Sequence, residues 1–458
     1  MTETPTKPAT SFGMKRLNRD AALMASSSVA NAILGMLFWA FAAKVFPPAK
    51  LGVMTAVLAV IVSAGLVIAA GVGDAYTALL PAVGSARLSV YRRGQRVWLG
   101  LALIAGLGSA IVTLSLLAQV RTSILVAVLV AVGVLAWSAF LLQNYTLISI
   151  GRARWLPATN IGVGVGKIVM LLALTVMLGW HSVELAFVIS AVLVVLLFQP
   201  AIIRAIDSGQ DLPNTATIPV ERAPREFNRL VVRTITSATL SLGVLNSTPF
   251  LVTVFAGPNQ GALFAISLTI VQTLDIVISA LACSLLVHAS GAPEQAAKMA
   301  RTVLVRASAV GGLGTAVLIP LAPLALRILN PEYGAMGGTG VIALLCGGCL
   351  MRTVYVVWAA LQRSRRNMKV ILALDFTCVM LLLFLIPDLC GIWGALGGAL
   401  ALFVADFVRC TGAVGHFLVT RRRAPIAAAP LSEDTLGMTD LTDCAEEDTS
   451  SVKGADLA

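Results

Sequence analysis

Residues 122–178 read TSILVAVLVAVGVLAWSAFLLQNYTLISIGRARWLPATNIGVGVGKIVMLLALTVML. Two apolar runs, Thr122 to Gln143 and Ala158 to Leu178, are each about 20 residues long, the length of helix that crosses a hydrocarbon core of roughly 30 Å. Between them stand Arg152 and Arg154, and on the far side of the first run stands Arg121. The unit is a membrane hairpin with a basic turn on one face.

Working outward, the same unit recurs along the chain. Further apolar runs cover Ala21 to Val45, Leu51 to Gly73, Val97 to Leu117, Val183 to Ile203, Thr236 to Phe255 and Gly261 to Val287, followed by Val303 to Ile328, Gly337 to Leu361, Val370 to Ile386 and Ile392 to Thr420. Every second connection is basic: 25 Lys and Arg lie on one side, against Lys44, Lys50, Arg121 and Arg327 on the other. Because basic residues are retained in the cytoplasm, this asymmetry predicts a multi-pass protein of the cytoplasmic membrane with both termini cytoplasmic. With 58% hydrophobic and 12% charged residues, the chain lacks the polar surface of a soluble protein of 458 residues. Its formal net charge of +11 is spread over short turns rather than gathered in a basic domain, so no nucleic-acid partner is expected. The first twenty residues are polar and basic, and the run after them is as long as a span, which predicts a retained signal-anchor.

The predicted fold class is therefore all-α: a polytopic membrane protein of about twelve transmembrane helices. Three weak internal matches suggest a duplication. Val45-Phe46 with Gly52 returns as Val254-Phe255 with Gly261, Gly106-Leu-Gly-Ser-Ala110 as Gly312-Leu-Gly-Thr-Ala316, and Arg152-Ala-Arg154 as Arg363-Ser-Arg365. An even number of spans per half makes the two repeats parallel, an arrangement used by transporters. The expected organisation is a cytoplasmic segment at 1–20, six-helix bundles at 21–205 and 234–420, a cytoplasmic linker at 206–233 and a disordered acidic tail at 421–458.

Ionisable residues at membrane depth cost about 2.5 to 3.5 kcal/mol each on insertion scales, so they mark partners or pathways. Three cations, Lys167, Arg352 and Arg409, and three acids, Asp275, Asp375 and Asp406, fall inside spans. Asp406 and Arg409 share a helix face and are expected to neutralise each other in whole or part. Lys167 has no acid within helical reach and stands beside Gly162, Gly164 and Gly166, where a ligand or another helix can approach. Asp275, with Gln272 one turn away, is the leading candidate for a protonatable or cation-binding group. Asn31 and Asn246 lie mid-span in the first helix of each half and suit either a cavity lining or interhelical hydrogen bonds. Cys346 and Cys349 have the spacing of a metal pair, but no His or carboxylate lies near them in sequence, and packing in a Gly-rich helix is the better reading. No cofactor, metal or catalytic motif is expected.

The stretch Ala42-Ala-Lys-Val-Phe-Pro-Pro-Ala-Lys-Leu-Gly52, the closing Gly71-Val-Gly-Asp-Ala75 with Leu80-Pro81, and the Gly151-Arg152 step resemble the polysaccharide-export flippases of the multidrug/oligosaccharidyl-lipid/polysaccharide exporter superfamily. The resemblance, over about residues 15 to 420, implies a V-shaped, two-bundle transporter that turns a polyprenyl-diphosphate-linked glycan between leaflets by alternating access. It further implies a central cavity bordered by the first, second, seventh and eighth helices, which favours Asn31, Asn246 and Asp275. Peptidoglycan-precursor flippases of that superfamily carry an Arg-Asp pair in the first helix; this first span lacks it, which counts against a cell-wall precursor.

On this reading Lys167, Arg352 and Arg409, with Asn31 and Asn246, bind the head group of the substrate, and Asp275, Asp375 and Asp406 couple an ion. Partners would be the lipid-linked glycan, membrane lipids and other glycan-assembly proteins. The rival reading with the same fold is a cation-coupled multidrug exporter, in which acids dominate the binding site. A polytopic glycosyltransferase or ligase is disfavoured, because such enzymes need a sizeable outer loop and the outer connections here are short. A non-transporting scaffold would leave the mid-membrane charges without a purpose.

Overall fold

In the computed structural model, residues 30–177, 181–208, 223–291, 296–364 and 368–423 are described. They are helical nearly throughout, with no strand among them. The first helix is α1 (Ala30–Val45). Then come α2 (Pro48–Leu79), α3 (Arg87–Leu116), α4 (Ile124–Ser149), α5 (Leu156–Met177) and α6 (Ser182–Ser208). A broken helix, α7, consists of Ala223–Asn246 and Thr248–Ala256. It is followed by α8 (Pro258–Gly291), α9 (Ala296–Leu329), α10 (Gly338–Ser364), α11 (Met368–Trp393) and α12 (Ala395–Arg423). Each of the twelve apolar runs overlaps one of these helices, with residues 21–29 of the first run and Leu178 of the fifth outside the described residues. Among the described residues nine helices are long and apolar enough to cross a membrane, and the two parts of α7 together make a tenth. The expected segment at 1–20, residues 209–222 of the linker and the tail from 424 lie outside the described residues.

Several helices outrun their apolar stretches. α3 starts at Arg87 rather than at Val97, and α7 starts at Ala223, inside the stretch expected to be linker. Hydropathy marks only the portion that sits in hydrocarbon, whereas backbone hydrogen bonding continues through Arg-rich turns that favour helix. The first segment of α7 shows the reason locally. Ala223, Phe227, Val231 and Ala238 are buried on one face, while Arg225, Arg229 and Arg233 are exposed on the other.

The main compact unit of the chain ends at Ala413, and a second begins at Val414 in the last turns of α12. The first unit is organised around α2. The apolar window of α2 is 78% buried within the protein, against 17% for α9, so α2 is a central helix and α9 a peripheral one. Pro48 opens α2 and Pro258 opens α8, each where the missing N–H would have no helical acceptor. The two starts meet: a Cβ on Gly52 would run into the carbonyl of Pro258, so only glycine permits this approach. Further along, Ser247 Oγ donates to Ser63 Oγ at 2.9 Å. At the other end the rings of Tyr76 in α2 and Phe227 in α7 lie 6.0 Å apart. α2 therefore touches α7 or α8 along its whole length.

The break in α7 has a local cause. A π-helical turn at Thr239–Gly243 precedes it, Ser247 bonds back to Gly243 and Val244, and Pro249 has no N–H to donate to the preceding turn. The helix bends there by 45°. Of the proposed repeat matches, the first pair falls at the α1–α2 and α7–α8 turns, and the second within α3 and α9.

Candidate functional site

Five of the six in-span charges converge in one cluster built from α8, α10, α11 and α12. α10 contributes Cys349, Arg352 and Tyr355 at three-residue steps, so the three stand on neighbouring positions of the helix surface. Arg352 bonds Asp406 in bidentate fashion, Nη2 to Oδ2 at 2.7 Å and Nε to Oδ1 at 3.1 Å, and gives Nη1 to Asp275 at 2.5 Å. Arg409 reaches Asp375 at 3.0 Å and, within its own helix, Asp406 at 3.8 Å. Tyr355 donates its hydroxyl to Asp375 at 2.8 Å, and its ring lies 5.4 Å from the Arg409 guanidinium. The thiol of Cys349 donates to Asp275 at 3.2 Å.

The result is a chain of groups, Asp275–Arg352–Asp406–Arg409–Asp375–Tyr355, that crosses four helices. Asp406, Asp375 and Arg409 are buried, whereas the side chains of Arg352 and Asp275 keep 15% and 19% exposure. The more exposed end of the chain is therefore Asp275. Three carboxylates against two guanidiniums leave one formal negative charge, so in its fully ionised form the cluster suits a proton or a small cation. Its two arginines already have carboxylate partners in this conformation.

Lys167 stands apart in α5. It is 7% exposed, and its Nζ lies 4.8 Å from the ring centre of Phe187 in α6 and 5.5 Å from that of Trp137 in α4. The ring faces supply the partial negative charge that a buried ammonium requires. Among the described residues no carboxylate pairs with it. Nearby, Asn144 of α4 donates to Asn160 Oδ1 of α5 at 3.1 Å and accepts from Thr159 Oγ1 at 3.0 Å.

Asn31 and Asn246 join neither cluster. Asn31 is half-buried in α1, one turn before Leu34, whose side chain occupies the space beside Gly164. Asn246 returns its amide to the carbonyl of Leu242 at 2.8 Å, at the α7 break. Sequence reasoning passed over Tyr355, Asn144 and Asn160, and it read Cys349 as a packing residue, whereas the thiol also donates to Asp275. For Asn144 and Asn160 a signal existed, since each stands seven residues from a notable residue of its own helix, Trp137 and Lys167 respectively.

No family model matches the chain, and no curated protein sequence matches it. Its fold is that of known membrane transporters. A structure described as the lipid II flippase MurJ in an inward closed conformation superposes with a TM-score of 0.69 at 15% identity, covering 87% of each chain. An outward-facing multidrug resistance MATE family transporter of the MOP superfamily gives 0.60 at 16% identity, over 88% of this chain and 95% of the other. A MOP superfamily transporter from Pyrococcus furiosus, described by a reverse polarity of its binding pocket, gives 0.54 at 14% identity, over 88% and 95%. The chain is thus a multi-pass, all-helical membrane protein that shares its fold with these MurJ and MATE structures. These neighbours are transporters and not enzymes.

Proposed function

We propose that this protein is a flippase that moves a polyprenyl-diphosphate-linked oligosaccharide across the cytoplasmic membrane by alternating access, for export of a surface polysaccharide. The observation that carries the reading is Lys167, a buried ammonium with aromatic neighbours and no carboxylate partner among the described residues, in a transporter fold. A sugar diphosphate cannot enter hydrocarbon unaided, and a cation held inside the protein offsets its charge while the prenyl chain stays in lipid. The fold likeness to a lipid II flippase supports a lipid-linked substrate. In this scheme Asp275, with Asp406 and Asp375 behind it, holds the coupling ion. Arg352 and Arg409 become available to the head group only in a state that separates them from these acids. Asn31 and Asn246 border the path on α1 and α7.

A second reading, a cation-coupled multidrug exporter, draws on the surplus carboxylate of the α8–α12 cluster and on the likeness to MATE transporters. One deletion strain separates the two. The flippase reading expects lipid-linked oligosaccharide to accumulate on the cytoplasmic leaflet and the matching surface glycan to be lost. Unchanged intermediates together with hypersensitivity to cationic dyes would overturn it in favour of the exporter.

A further inference from the structure

The seam between α4 and α5 carries features that the general flippase reading does not use. α5 packs on α6, and α6 packs on α4, while α4 and α5 approach each other chiefly through side chains. From Ile124 to Met177 the hairpin contains no Asp or Glu, yet it holds Arg152 and Arg154 at its turn and Lys167 midway along α5. This is the reverse of the α8–α12 cluster, where every buried cation has an acid. Interhelical hydrogen bonding in lipid accounts for Asn144 bonding Asn160. It does not account for Lys167, nor for three polar groups along α4 without partners among the described residues: the indole N–H of Trp137 and both amide atoms of buried Gln143.

The spacing is informative. Lys167 and Asn160 are seven residues apart on α5, as are Trp137 and Asn144 on α4, so the two pairs face each other in antiparallel register. Seven residues of helix rise about 10 Å, close to the length of a diphosphate joined to one pyranose ring. The cation with the indole donor forms one end of this span and the amide pair, both half-exposed, forms the other. Carboxamides both donate and accept, as sugar hydroxyls do, whereas an ammonium only donates and suits phosphate oxygens.

We propose that the α4–α5 seam is a saccharide-diphosphate subsite, in which Lys167 with Trp137 takes the anionic group and Asn144 with Asn160 takes hydroxyls of the first sugar. This rests on the lipid-linked reading above and adds to it a place and a division of labour.

The test is binding of farnesyl diphosphate and of farnesyl-diphosphate-linked N-acetylglucosamine to the purified full-length protein in nanodiscs, with thermal unfolding of every variant measured in parallel. Lys167→Met should weaken both probes about tenfold or more, the loss expected of a hydrogen bond to a charged group. Lys167→Arg should restore most of that affinity. Asn144→Ala and Asn160→Ala should each weaken the sugar-bearing probe about fivefold and leave farnesyl diphosphate unaffected. Wild-type affinity for both probes in Lys167→Met, or equal loss of both probes in the Asn variants, overturns the proposal while the lipid-linked reading stands. A wild-type protein that binds neither probe overturns both. If Lys167→Met is not recovered folded, the Asn variants decide alone, and unchanged affinity for the sugar-bearing probe overturns the subsite.

Discussion

Replacing Arg352 by Gln removes one of the two guanidiniums that hold three carboxylates together in the α8–α12 cluster. Asp275 then loses its 2.5 Å partner, and Asp406 loses a bidentate bond and keeps only Arg409 at 3.8 Å. Formal charge on the cluster goes from one negative to two. Removing one partner of a buried ion pair costs about 3 to 5 kcal/mol, because the remaining charge has left water without compensation. Asp406 is 1% exposed and bears that cost nearly in full, whereas Asp275, at 19%, recovers part of it from solvent. Asp275→Asn alone should cost less, about 1 to 2 kcal/mol, since it deletes one charge-assisted bond at the exposed end. In the double variant Arg352→Gln/Asp275→Asn two carboxylates face one guanidinium and the formal charge returns from two negative to one, so the loss should be smaller than the sum of the single losses. Denaturant unfolding in detergent, run as a double-mutant cycle, measures the coupling. Strict additivity, within about 0.5 kcal/mol, would refute the reasoning that the cluster acts as one charge-balanced unit. A corollary concerns function: Arg352 variants mix folding and transport effects, which makes Lys167 the cleaner functional probe.

Three further predictions concern other parts of the molecule. Gly52→Val should destabilise the protein by about 1 to 3 kcal/mol through overpacking against Pro258, read as a lower unfolding temperature. His181, ahead of α6, has its imidazole 3.5 Å from Glu184, and that hydrogen bond holds its pKa above the usual histidine value. The contact is fully present below about pH 6.5 and is lost as pH rises through the raised value, so His181→Gln should flatten the dependence of stability on pH over that window. An unchanged pH profile would remove the ion pair from the account. Finally, a single Cys at Gly209 should resist a membrane-impermeant thiol probe in intact cells and react after permeabilisation, as the charge asymmetry of the turns requires.

The all-helical build and the approximate places of the apolar helices were legible in the sequence because each depends on a local matter, the length of an apolar run between polar or basic turns, whereas the exposed basic stripe of α7 falls in a stretch expected to be linker. Element ends were less legible, as the early starts of α3 and α7 show, since hydropathy reports the solvent around a helix rather than its hydrogen bonds. The six in-span charges were equally visible, because an ionisable side chain among Leu and Val stands out whatever the fold.

Which of those charges would meet was another matter. Asp406 and Arg409 sit three apart in the sequence, yet in the folded chain Asp406 bonds chiefly to Arg352, 54 residues away, and Arg409 to Asp375. Helical spacing ranks neighbours on one helix, but a bidentate geometry between helices outweighs a 3.8 Å contact within one, and only packing brings it about. Lys167 and Arg352 both lack an acid in their own helices, and the fold supplied carboxylates from α8 and α12 to Arg352 but aromatic faces from α4 and α6 to Lys167. The sequence by itself determined that six charges must be buried in a helical membrane protein. Tertiary structure decided that five of them join in one ion-pair cluster with a carboxylate in surplus while the sixth stands apart, because pairing in a low-dielectric interior depends on distances of a few ångströms between helices remote in sequence.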